Sequence, residues 1–116
     1  MELVTPRELM RMIKRLRVVA APGLDQITVL CLKKCMLIIL PWLLRICNSS
    51  IALAHFPMEW RKARVIVLRK PGKTSYESPR SYRPISLLSN LGKVIEMLMN
   101  RRIMHRLEQW HALAPY

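Results

Sequence analysis

Between Arg61 and Arg83 the chain sets eight cations, Arg61, Lys62, Arg64, Arg69, Lys70, Lys73, Arg80 and Arg83, against the single carboxylate of Glu77. Eight less one is +7, more than half of the formal +13 carried by all 116 residues. Guanidinium and ammonium groups at this density donate charge-assisted hydrogen bonds to phosphate oxygens. Charge runs are often no more than solvated surface. This one flanks two short apolar runs and occupies the loop between them, so a hairpin here carries its cations away from the core. Arg64 and Lys70 are an even number of residues apart, which in a strand places both on one face.

Other chemistry is thinly supplied. His55, His105 and His111 stand alone. Cys31 and Cys35 are one helical turn apart, but no second pair completes a four-ligand zinc site, and both thiols read as core packing. No glycine-rich phosphate loop ending in Lys-Ser/Thr is present. The carboxylates Glu2, Glu8, Asp25, Glu59, Glu77, Glu96 and Glu108 are scattered. Two-metal phosphoryl transfer needs carboxylates gathered around ions about 3.5–4 Å apart. No catalytic residue and no metal ligand is therefore assigned.

The elements holding the basic run must come from a small core. Apolar residues make up 52% of the chain, which excludes a low-hydrophobicity disordered tail. Twenty Lys and Arg against seven Asp and Glu point to a phosphate backbone or an anionic membrane surface as partner. An odd count of three cysteines argues against a secreted disulfide scaffold and for a reducing, intracellular compartment, the nucleus included. The N-terminus lacks the basic-then-apolar order of a signal peptide. The longest uncharged apolar run, Cys35 to Leu44, is far shorter than the roughly 18–20 residues that span a bilayer. No transmembrane segment is expected.

Thr5-Pro6-Arg7-Glu8 signals a helix start, with an N-cap, a first-position proline and an acid three residues on. Leu9, Met12, Ile13 and Leu16 give that helix an apolar stripe, and Pro22-Gly23 ends the segment. Asp25 is expected to cap a second, short helix through Ile27, Leu30, Leu32 and Cys35. Pro41 is expected to start a third, broken at His55-Phe56-Pro57. Arg64-Val65-Ile66-Val67-Leu68 reads as a strand buried on both faces. Tyr82 to Leu88 offers a second strand, in which Pro84 implies an edge position. A long helix from about Ser89 to Trp110 buries Leu91, Val94, Ile95, Leu98, Met104 and Leu107, with Arg101, Arg102 and Arg106 elsewhere on its surface. The expected fold is α+β and mainly helical, with helices, then a basic β-hairpin, then one long C-terminal helix.

Ala21-Pro22-Gly23-Leu24-Asp25-Gln26-Ile27, Leu32-Lys33, Phe56-Pro57 with Trp60, Lys70-Pro71-Gly72-Lys73 and Ser81-Tyr82-Arg83-Pro84-Ile85-Ser86-Leu87-Leu88 follow in that order. Leu91-Gly92-Lys93-Val94-Ile95-Glu96 continues the series. The succession resembles the reverse transcriptases of non-LTR (LINE-type) retrotransposons and covers nearly the whole chain.

That resemblance implies a single partial domain over residues 1–116, the N-terminal fingers part of a right-hand polymerase. It implies that Arg83 contacts a nucleotide triphosphate and Lys70 or Lys73 its phosphates. Arg64 would then lie against nucleotide or template, with Arg69 and Lys62 adding basic contacts. Asp25 would fix the Ala-Pro-Gly loop, and Phe56 and Trp60 would anchor the core beneath the hairpin. Implied partners are RNA or DNA as template and primer, a nucleotide triphosphate and the palm domain, with no membrane. Ala20 stands where the family often has Lys before the turn. After His111-Ala112-Leu113-Ala114-Pro115-Tyr116 the family continues into a Gln-Phe-Gly-Phe-Arg block and its catalytic aspartates, here absent. The two Mg²⁺ ions are therefore expected only in the full-length enzyme, and no cofactor in this segment. A segment that binds phosphates without polymerising is the leading reading. A non-functional retroelement relic and a basic membrane-surface or interaction protein are the alternatives.

Overall fold

The computed structural model describes residues 2–114. Met1 of the N-terminal leader reading and Pro115-Tyr116 of the closing stretch lie outside the described residues. Helix α1 spans Pro6–Arg15 and begins as its sequence dictates, with the Thr5 hydroxyl accepting from the Glu8 N–H at 3.2 Å. Leu9, Met12 and Ile13 are buried, and Leu16 closes the same stripe. At the other end Lys33 Nζ donates to the Lys14 carbonyl at 3.1 Å, a cation where the last turn leaves acceptors open.

Helix α2 spans Val29–Lys34, and its cap is Thr28, whose hydroxyl accepts from the Cys31 N–H at 3.2 Å, not Asp25. Asp25 lies too far ahead of the first turn and instead accepts from the Ile27 N–H at 3.1 Å. Helix α3 spans Met36–Ala52 with Pro41 inside it rather than at its start. Proline costs that helix one hydrogen bond, to the Leu37 carbonyl, on a side open to water where hydration replaces it. The core-packing expectation for the α2 thiols fails as well. Cys31 is exposed and Cys35 half-buried, whereas Cys47 on α3 is fully buried.

The short helix α4, Met58–Arg61, leads into strand β1, Arg64–Arg69. After a loop closed by a 3-10 turn at Pro79–Ser81, strand β2, Tyr82–Leu87, pairs with β1 antiparallel, Arg64 opposite Leu87 and Arg69 opposite Tyr82. Helix α5, Asn90–Gln109, returns over α1 and α4. Its first half supplies Val94, Ile95 and Leu98 to the core formed with α1, α2 and α3. Its second half overhangs that core, so Met104, expected inside, is exposed. Arg102 does more than decorate the helix. Its Nε and Nη2 donate to both Glu8 carboxylate oxygens at 2.9 and 2.8 Å, tying α5 to α1.

Two glycines let the ribbon seat on this core. A Cβ at Gly23 would stand 2.7 Å from the Leu88 carbonyl carbon and the Ser89 nitrogen, so the Ala-Pro-Gly turn packs backbone to backbone against the end of β2. Gly92 leaves room for Trp60 and Phe56, whose rings meet edge to face at 6.1 Å between centroids. The molecule measures 53 × 41 × 24 Å with a radius of gyration of 17.6 Å. About 13 Å is usual for this length. The excess is the ribbon and the α5 overhang.

Candidate nucleic-acid interface

Strands β1 and β2 form a two-stranded sheet, and among the described residues no helix packs extensively along either face. The expectation of a strand buried on both faces is therefore wrong. Only Ile66 of β1 is half-buried, while Val65, Val67 and Leu68 are exposed. A β-branched run specifies extended backbone, but what covers it depends on elements elsewhere in sequence. Pro84 does lie on an edge, since each strand of a pair has one free side. It stands opposite Val67. Lys70 N–H donates to the Ser81 carbonyl at 2.8 Å. Counting back by the antiparallel alternation makes Val67 and Pro84 a non-hydrogen-bonded pair, where the missing N–H costs nothing.

The register sorts the basic residues. Arg64 and Arg83 share a face, because Arg83 is opposite Leu68 and Leu68 follows Arg64 by an even step. At roughly 3.4 Å per residue they are about 14 Å apart along the ribbon. Both are exposed. Lys70, just past β1, continues the same alternation and is half-buried.

Arg69 faces the other way, beside Tyr82, with its guanidinium carbon 4.9 Å from the Tyr76 ring centroid. Lys73 is exposed in the loop beside Gly72, whose φ of +76° makes the turn. Lys62 precedes β1 and pairs at the surface with Glu59 at 3.7 Å, a contact water and salt readily replace. Thus Arg64, Lys70 and Arg83 share a face, whereas Arg69, Lys73 and Lys62 occupy the opposite face, the loop and the approach.

The loop is ordered by contacts that composition did not reveal. Tyr76 Oη donates to the Lys70 carbonyl at 3.0 Å, Tyr82 Oη to the Tyr76 carbonyl at 2.6 Å, and Ser81 Oγ to the Ser75 carbonyl at 2.8 Å. These hydroxyls fold the loop back on the ribbon and hold Arg69 over an aromatic face. The available signal was two tyrosines inside a basic loop, since Tyr hydroxyls that are partly buried find acceptors.

At the ribbon's root the Asp25 carboxylate accepts from Ser89 Oγ at 2.6 Å, and Asn90 Nδ2 donates to the Ile27 carbonyl at 2.8 Å. Asp25 thus fixes the loop, as expected, by gripping the β2–α5 junction. Gln26 adopts a left-handed φ of 57° within that turn. Among the described residues no group of three or more His, Cys, Asp or Glu could hold a metal ion. No helix among them is long and apolar enough to cross a membrane.

No protein-family model matches the chain. Curated relatives do. The chain is 38% identical over 96 residues to a probable RNA-directed DNA polymerase from transposon BS of Drosophila melanogaster, covering 83% of this chain and 10% of that protein. It is 36% identical over 101 residues to the RNA-directed DNA polymerase from mobile element jockey of the same species, covering 87% and 11%. The jockey polymerase of Drosophila funebris is 34% identical over 116 residues, covering 97% and 12%. The chain spans about a tenth of the length of these relatives. Identity of this order over most of the chain places it: the chain belongs to the LINE-type retrotransposon RNA-directed DNA polymerases.

Proposed function

We propose that this segment is the fingers region of a non-LTR reverse transcriptase and that its ribbon lies against nucleic-acid and nucleotide phosphates. The observation that carries the reading is the pair Arg64 and Arg83, exposed on one face of a projecting basic ribbon. In this reading Lys70 and Lys73 supplement them at the loop end, and Arg69 stacks on Tyr76 as a platform beside the bound strand. Polymerisation and its two Mg²⁺ ions belong to carboxylates elsewhere in the polymerase polypeptide, with the template, primer and nucleotide triphosphate as partners.

The test is fluorescence anisotropy of the 116-residue chain with a labelled single-stranded RNA and an RNA–DNA heteroduplex over a salt series. Each phosphate neutralised on a single strand adds about 0.7 to the slope of log affinity against log salt. Replacing both Arg64 and Arg83 with Ala is expected to lower that slope by about 1.4 while the melting transition stays in place. Undetectable binding at low salt, or an unchanged slope in the double variant, defeats the reading. The relic alternative draws on the apolar side chains left in water, among them Val19, Leu37 and Trp42. A non-cooperative melt without near-ultraviolet dichroism would favour it.

A further inference from the structure

Helix α3 is apolar around nearly its whole circumference, and Arg45 is its sole charge. Helices of that kind are normally covered on every side. Here Leu43 and Cys47 are buried in the core, but Leu37, Ile38, Trp42 and Leu53 are 74%, 76%, 68% and 75% exposed. Ile38, Trp42 and Ile46 repeat at helical spacing and Leu53 follows beyond Ser49 and Ser50, so the outward side is a mainly apolar stripe about 25 Å long, interrupted by those two serines. An open hollow of about 260 Å³ ends it between Ile46, Leu53 and His55. This side carries no carboxylate, and it is separate from the basic ribbon.

Charge discriminates among the occupants. Arg45 lies beside the midpoint of α3, so two-fold pairing of this face would bring Arg45 against its own mate and +13 against +13. A hydrocarbon interior offers that guanidinium no partner, and helices that lie in an anionic interface carry several cations where α3 carries one. An apolar protein surface bearing a carboxylate satisfies both the stripe and Arg45. About nine-tenths of the relatives' length lies outside the matched stretch, which leaves ample chain to carry such a surface on the same polypeptide. A tethered partner acts at about millimolar effective concentration, so even a weak intrinsic contact is occupied.

We propose that the outward stripe of α3, Leu37, Ile38, Trp42, Ile46 and Leu53 around Arg45, docks on an apolar, carboxylate-bearing surface elsewhere in the same LINE-type polymerase polypeptide.

The test reads thiol alkylation by a maleimide. In a Cys31→Ser, Cys35→Ser background the remaining thiol, Cys47, is buried and its pKa is pushed up to about 11, so it stays silent while the fold is intact. Reporters Ile38→Cys and Leu53→Cys, with Glu77→Cys as an exposed control, are placed in the 116-residue chain and in jockey polymerase carrying this chain in place of its matched stretch, and the label at each site is read from the mass of its own proteolytic peptide. Should the graft expose Cys47, the same reporters go at the aligned positions of jockey polymerase itself. The expected result is rapid labelling at all three positions in the isolated chain. In the polymerase, labelling at Ile38→Cys and Leu53→Cys should slow roughly tenfold or more, with Glu77→Cys unchanged. Adding Arg45→Glu to the polymerase is expected to restore much of the lost reactivity. Equal rates in chain and polymerase overturn the proposal. So does protection in the isolated chain that grows with its concentration, or that appears on adding anionic phosphatidylserine vesicles. None of these readings involves RNA binding, so the proposal and the ribbon's function stand or fall separately.

Discussion

Leu98 on α5 and Val67 on β1 are both branched aliphatic side chains in regular structure, yet one is wholly buried and the other 60% exposed. The helical part of the molecule is held by side chains, with Leu9, Met12, Ile13, Val94 and Leu98 excluding water from one shared core. The ribbon is held by its backbone ladder, by the tyrosine hydroxyls that close its loop and by the grip at its root. Around the shared core the helices have specified their neighbours, the outward side of α3 excepted. The ribbon keeps apolar and cationic side chains in water, the arrangement a surface needs if a polyanion is to displace that water.

The contrast can be broken hardest in the core. Leu98→Ala should cost about 2–5 kcal/mol in urea unfolding, a large share of the roughly 5–15 kcal/mol usual for a domain. A loss below about 1 kcal/mol would mean that the helices are not packed as described. Gly23→Ala tests the junction between the regions. Its Cβ meets backbone atoms that cannot rotate away, so we expect about 1–3 kcal/mol of destabilisation and altered amide shifts at Ser89 and Asn90.

Glu8→Gln comes next, at about 1–2 kcal/mol near neutral pH, because the Arg102 fork loses its charged acceptor. Hydrogen bonding to Arg102 lowers the folded pKa of Glu8 below its ordinary 4.5. The ionised carboxylate therefore stabilises the fold fully above that ordinary value. The gap between wild type and Glu8→Gln should close as the pH falls through the lowered folded value. A gap constant down to pH 2 would remove the pair from the account. Smallest of all, Val67→Thr should shift stability by less than about 0.5 kcal/mol, since neither side chain there is covered. A larger loss would reveal a packing partner for the ribbon.

The sequence spoke most clearly where one segment contained both halves of an interaction. Thr5 and Glu8 announce α1, and the two apolar runs with their basic connector announce the hairpin and its proline edge. It was less clear where the partner is remote. Nothing near Arg102 names Glu8, and nothing near Asp25 names Ser89, so the first read as surface and the second as a helix cap. Pro41 misled because the first-position preference of proline is a tendency, and a long apolar helix can hold it on a wet side. The exposure of β1 was illegible for a similar reason: its residue types state the conformation of the strand and say nothing of what lies above it. Of the basic residues, parity alone paired Arg64 with Lys70. The loop latch that turns Arg69 onto Tyr76 needed coordinates.

The Glu8–Arg102 fork joins residues separated by 94 positions in sequence, and the Asp25–Ser89 bond by 64. During synthesis α1 emerges well before α5, and it acquires this ion pair only when Arg102 leaves the ribosome. Until Ser89 follows, the turn at Asp25 has nothing to hold and the ribbon has no fixed direction. Nascent chains arrested before that point also lack α5, so they should present α1, α2 and α3 around an open core with an unseated arm, susceptible to protease at the loop around Lys73.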